Sequence, residues 1–129
     1  MKKYFLLRIF MYFGSLFFFF EFILHLLGLN ILEHDKIFLF THDRYIALFS
    51  LTYSSLLILV STNFEKYKLL FMLTMTGIFL AMINALNISF SGGYITLFPV
   101  YSLDNNLKFL GILFFFWYFL TWLLFYFKR

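Results

Sequence analysis

Cysteine is absent from this 129-residue chain, proline occurs once, and charged residues make up only 12 % of it. The first absence excludes disulfides, iron–sulfur ligation, thiolate catalysis and covalent haem attachment, and leaves the redox compartment open. The second leaves long stretches without a helix breaker, because Pro99 sits beyond Gly92 and Gly93 in the connection "SFSGGYITLFPVYSLDNN". Phosphate-binding glycine loops, the G-x-S-x-G elbow, H-E-x-x-H and a dinucleotide fingerprint are also missing, so a motif-based enzyme reading has no support. The net charge of +4 comes from Lys and Arg at segment ends. No basic run interleaves with aromatics, which argues against a nucleic-acid partner.

Apolar residues fill the rest: 64 % of the chain is hydrophobic, against roughly half in soluble proteins. Phe occurs 23 times while Ala stands only at 47, 81 and 85. An AT-rich genome enriches Phe in this way, and a bilayer accepts Phe for Leu at little cost, so "FFFF" at 17–20 is no aromatic ligand box. A span needs about 20 mostly apolar residues to cross roughly 30 Å of hydrocarbon. Four runs qualify, at 4–28, 45–62, 67–88 and 107–127.

Backbone polar groups in lipid must be satisfied within the protein, and the alternating ten-residue segments of a barrel are not seen. The expectation is an all-α polytopic integral membrane protein, a four-transmembrane-helix bundle forming a single membrane domain over 1–129. The first run follows Lys2 and Lys3 as a signal peptide would. Its length, the lack of a small-residue cleavage pattern and the interruption by Glu21 identify it instead as a retained helix. Tyr94, Phe98 and Tyr101 in the 89–106 connection are expected at headgroup level.

Lys and Arg distribute unevenly across these runs. Lys2, Lys3, Arg8, Lys66, Lys68, Lys128 and Arg129 fall on one side, against Lys36, Arg44 and Lys108 on the other. The excess predicts that both termini are cytoplasmic and that the 29–44 and 89–106 connections face outward.

Association of helices in lipid relies on close packing of small residues and on hydrogen bonds between side chains. Each run carries a stripe at helical spacing: Met11, Gly14, Phe18, Glu21, His25 and Gly28; Ala47, Ser50, Ser54, Leu57 and Ser61; Thr74, Gly77, Ala81 and Asn84; Gly111, Phe114, Tyr118 and Thr121. These are expected inside the bundle, with Gly77 and Ala81 at a helix contact and Phe79 toward lipid.

The stretch from 21 to 44 concentrates the chain's chemistry, holding every histidine and most of the acids: Glu21, His25, Glu33, His34, Asp35, His42 and Asp43, with Arg44 adjoining. Glu33, Asp35 and Lys36 read as a solvated loop. Asn30 and Glu33 resemble a capping box that would start a short interfacial helix over 31–40. Glu21 differs, because it lies about 10 Å inside the outer end of its span, where a carboxylate costs about 2.5 kcal/mol or more unless compensated. His25 is one turn further along the same face. His42 and Asp43 of "THDRY" reach that level from the second run, and Asn84 and Asn87 from the third. Arg44 is either a snorkelling anchor or the partner of Glu21.

Three chemistries fit this set. A divalent metal or haem would use His25 and His42, with Glu21 or Asp43 as carboxylate ligand and His34 as a further candidate. A proton or quinone site would use Glu21 and His25 as titrating partners. A structural lock would use the same residues without a ligand. The short four-span layout, with an early Arg and a first helix bearing Gly and His, resembles the DoxX-type membrane proteins associated with redox complexes in architecture, and no residue role is carried over. The functional expectation is a non-enzymatic binding module, or an accessory subunit of a membrane redox or transport complex. It would be embedded in the lipid bilayer, beside other membrane subunits or copies of itself. The alternatives are a purely structural or assembly protein, and a small membrane enzyme using the Glu/His pair for acid–base work.

Overall fold

In a computed structural model the backbone is described for residues 4–28, 40–91 and 105–127, and side chains for 4–28, 44–83 and 111–127. Four helices account for almost all of it: α1 Phe5–Leu27, α2 Phe40–Thr62, α3 Lys68–Ser91 and α4 Asn105–Tyr126. No strand occurs among the described residues, as the all-α expectation requires. Two boundaries differ from the hydropathy reading. α2 starts at Phe40 rather than 45, and α3 continues to Ser91 rather than 88. Hydropathy stops at polar residues, whereas a helix stops at a breaker: Asp43 suits the positive first turn of α2, and nothing interrupts α3 before Gly92 and Gly93.

α1 is closed at both ends by left-handed residues. Gly28 (φ 64) caps its C-terminus and donates its N–H to the Leu24 carbonyl, a conformation glycine adopts without Cβ penalty. Tyr4 (φ 70, ψ 17) holds the same conformation at the N-terminus, which is costly for an aromatic residue. Tertiary contacts offset that cost. The Tyr4 ring lies 5.2 Å from Phe64 and 6.2 Å from Phe125, and its hydroxyl donates to Glu65 Oε1 at 2.8 Å. Between α2 and α3 the turn is short: Asn63 Oδ1 accepts the Lys66 N–H, and the Asn63 carbonyl accepts that of Tyr67.

The paired contacts run antiparallel between neighbouring helices and close them into a ring in which α1 also packs on α4. Along the α1–α2 seam Tyr4 meets Glu65 and Ser15 meets Ser54. The Ser15 hydroxyl lies 2.9 Å from that of Ser54, and each approaches the other's backbone carbonyl at 3.0 Å. Along α1–α4, the Phe17 and Phe114 rings meet in a tilted contact at 4.9 Å, and Trp117 Nε1 donates to the Phe10 carbonyl at 2.9 Å. Gly14 makes that approach achievable, because any Cβ there would run into the Trp117 ring. Phe71–Phe125 (4.5 Å) and Phe79–Tyr118 (5.3 Å) join α3 to α4. Tyr53 of α2 points its hydroxyl at Gly77 of α3.

Leu7, Met11, Phe18, Leu57, Val60, Phe64, Phe71, Met75 and Ile78 form the core. All five positions of the α2 stripe are buried, as are Met11, Gly14, Phe18 and His25 of α1 and Gly111 and Thr121 of α4. The expectations fail at Gly28, which is exposed, and in part on α3, where Thr74 is buried and Gly77 meets Tyr53 as expected but Ala81 does not follow. Ala81 is exposed, and the buried line runs through Phe71, Met75, Ile78 and Met82, with Thr74 beside it. Phe79, expected toward lipid, is half-buried on Tyr118. The physical reason lies in α4, whose large rings meet α3 through aromatic contacts rather than through small residues.

Outer surfaces of the ring are apolar, with Phe13 64 % and Leu69 72 % exposed. Phe5–Leu27 and Arg44–Thr62 are long and apolar enough to cross a membrane. The described apolar stretches of α3 and α4, Lys68–Ile83 and Gly111–Tyr126, are shorter. The expected interfacial helix over 31–40 and the 92–104 part of the connection lie outside the described residues, apart from Phe40 as the first residue of α2.

Candidate functional site

Glu21 and His25 sit in the last two turns of α1. Their spacing of four residues puts them on one face, where His25 Nε2 lies 3.2 Å from Glu21 Oε2. Both side chains are sheltered, His25 to 7 % and Glu21 to 13 % exposure. The two groups are thus within contact distance of one another. Leu24 is buried beside it, and Gly28 ends the helix one turn later.

The helix register says what surrounds the pair. The α1–α2 seam that matches Tyr4 with Glu65 and Ser15 with Ser54 brings Arg44 level with His25. On the other flank, the register of Gly14 with Trp117 and Phe17 with Phe114 brings the first turns of α4 level with Glu21 and His25. Antiparallel order adds the end of α3. One end of the ring therefore gathers the pair, the start of α2, the end of α3 and the start of α4.

Of the expected site residues, Glu21 and His25 are brought together as anticipated. Arg44 is at the expected level but exposed, and the ion pair of Glu21 is made with His25 rather than with Arg44. His42, Asp43, Asn84 and Asn87 occupy helical backbone at this end, while their side chains lie outside the described residues, and His34 lies outside them altogether. Among the described residues no group of three or more His, Asp or Glu side chains could hold a metal. The expected metal set of His25, His42 and Glu21 is thus represented by two of its members. A paired carboxylate and imidazole can exchange a proton between them, or offer one oxygen and one nitrogen to a cation.

Sequence reasoning passed over Ser15 and Trp117, which tie α1 to α2 and to α4. A signal for the second was available: an indole N–H inside an apolar helix needs an acceptor, and Gly14 is where a neighbouring backbone can come close enough to provide one.

Compared with family models, with curated proteins and with solved structures, the chain matches none, so its function is argued from its own residues.

Proposed function

We propose that the chain is a four-span integral membrane protein with both termini cytoplasmic. It acts as a non-enzymatic binding module, or as an accessory subunit of a membrane redox or transport complex, through an outward-facing site built on Glu21 and His25. His42, Asp43, Arg44, Asn84 and Asn87 complete the site, which takes a proton or a metal cation; haem and a quinone are the larger occupants these residue types serve.

Support for the bilayer comes from the outer faces of the helices. Alongside their exposed apolar side chains, the hydroxyls of Thr52, Ser55, Thr62 and Thr76 each bond a carbonyl of their own helix, which is how a hydroxyl facing hydrocarbon is satisfied. The retained-helix reading of α1 is supported by its share of the core. For orientation, antiparallel order collects Arg8, Lys66 and Lys68 at one end and places Arg44 at the other.

The observation that carries the site is the sheltered Glu21–His25 pair itself. Both members are sheltered side chains on one face of α1, and a carboxylate inside an apolar span costs about 2.5 kcal/mol or more unless compensated, which makes an ionisable pair at such a place a functional-site reading by default. The test replaces Glu21 by Gln, which keeps shape and removes charge, and by Leu, which removes both. Metal content, the optical spectrum and the activity of any co-purifying complex are then measured on folded protein. Loss of ligand or activity in Glu21→Gln, at unchanged helix content, is the expected result. Wild-type behaviour of both variants would refute the site.

A further inference from the structure

We infer that Arg8 holds the phosphate of an anionic phospholipid at the opposite end of the ring, in the outer groove between α1 and α2. This rests on the reading that the chain spans a membrane. Arg8 follows Tyr4 by one helical turn and lies beside Ser15 on the face that meets α2. Its guanidinium is only partly sealed in. Nε is buried with no hydrogen-bond partner, while the residue as a whole is half-buried, so the two terminal nitrogens reach the surface. Glu65 is the one acid with a described side chain at this end. It accepts the Tyr4 hydroxyl at 2.8 Å, and no ion pair joins it to Arg8.

Depth selects the ligand. The 23 residues of α1 rise about 35 Å, more than the roughly 30 Å hydrocarbon core, so a long guanidinium side chain in its first turn can snorkel to the headgroup layer. The anionic groups within reach there are lipid phosphates, whose geometry matches the planar guanidinium fork. Exposed Lys66 and Lys68 stand at the same end and add positive potential, Lys66 lying over the Tyr67 ring at 5.2 Å. The Ser15–Ser54 clasp and the Tyr4–Glu65 bond hold α1 and α2 on either side of the groove.

The experiment offers equimolar phosphatidylglycerol and phosphatidylcholine to the full chain in neutral detergent, and counts retained lipid by native mass spectrometry. Diacylglycerol and inorganic phosphate form separate arms. Wild type should retain phosphatidylglycerol about fivefold over phosphatidylcholine and should not retain diacylglycerol; Arg8→Gln should abolish the preference, and Arg8→Lys should keep part of it. Equal retention of the two phospholipids by wild type overturns the site without needing any variant to fold, and equal preference in wild type and Arg8→Gln does so too. Displacement of lipid by millimolar inorganic phosphate would replace the lipid headgroup by free phosphate and overturn the lipid assignment. Release of the chain from membranes by alkaline carbonate would overturn the membrane reading and this site together. A chain that stays embedded but shows no preference overturns the site alone.

Discussion

Replacing Gly14 by Ala should destabilise the bundle, although alanine is the better helix former. The new Cβ would meet the Trp117 ring, with Cε2 and Cη2 at 3.0 Å and Cζ2 closer still. This ring is poorly placed to yield, because Nε1 donates to the Phe10 carbonyl and the indole lies against the tilted Phe114 ring at 5.2 Å. Overpacking of this kind costs about 1–3 kcal/mol, including the interhelical hydrogen bond of about 0.6 kcal/mol if the indole is pushed off its acceptor. The gain in helix propensity returns about 1 kcal/mol. The net expectation is a loss of up to about 2 kcal/mol, toward the upper end because the ring is held on both sides. Gly77→Ala provides the control, since its Cβ would meet the Tyr53 hydroxyl, the free end of a side chain that can swing, and its net effect should lie within about 0.5 kcal/mol of zero. Reversible unfolding in mixed micelles, followed by circular dichroism, measures both. A Trp117→Leu background should remove the penalty at Gly14 and so isolate the coupling between the two positions. Gly14→Ala as stable as wild type, or more so, would refute the argument that this close approach sets the α1–α4 spacing.

Ser15→Ala and Ser54→Ala should each cost about 0.5–1 kcal/mol, and the double variant little more than either, because the hydroxyls share one reciprocal clasp; additive losses in the same assay would contradict this. Ala81→Leu should be tolerated within about 0.5 kcal/mol because Ala81 is exposed, whereas Thr74→Leu, at a buried position on the same helix, should lower the unfolding midpoint. A reporter active only in the cytoplasm, fused to Arg129, should be active; activity of an outside-only reporter would invert the topology.

The four helices were legible because long apolar runs need no tertiary information. Their interior faces were legible where small residues did the packing. On α2 the serines and Ala47 mark the buried face correctly, since a small side chain lets a neighbouring backbone approach. On α3 the same rule chose Ala81 and lost Phe79, because the partner there is an aromatic helix and ring-on-ring contact needs no small residue. Trp117 shows the converse limit: composition makes it one more aromatic among many, and only its alignment with Gly14 and the Phe10 carbonyl makes it a tie. For the site, cost alone identified Glu21 and His25, since a carboxylate inside an apolar run demands a partner and the residue one turn away provides it. For Arg44 the sequence left two readings open, a snorkelling anchor or the partner of Glu21, and the described contact of Glu21 is with His25, one turn along the same face.

The end of the ring that holds Tyr4 is built on interlocking aromatic contacts. Around Tyr4 the rings of Phe64, Phe71, Trp122 and Phe125 interlock, and the Tyr4–Glu65 bond holds α1 to the turn between α2 and α3. This network is dense enough to keep a left-handed aromatic residue in place at a helix terminus. The clasp at Ser15 and the indole tie at Phe10 lie in the same half or near the middle of α1. At the far end, the described contact of Glu21 is within its own helix, and α1 ends there on a glycine. The described packing around Tyr4 is thus what seats the N-terminal half of α1 in the bundle, and Glu21 and His25 stand away from it, in the last two turns of the same helix.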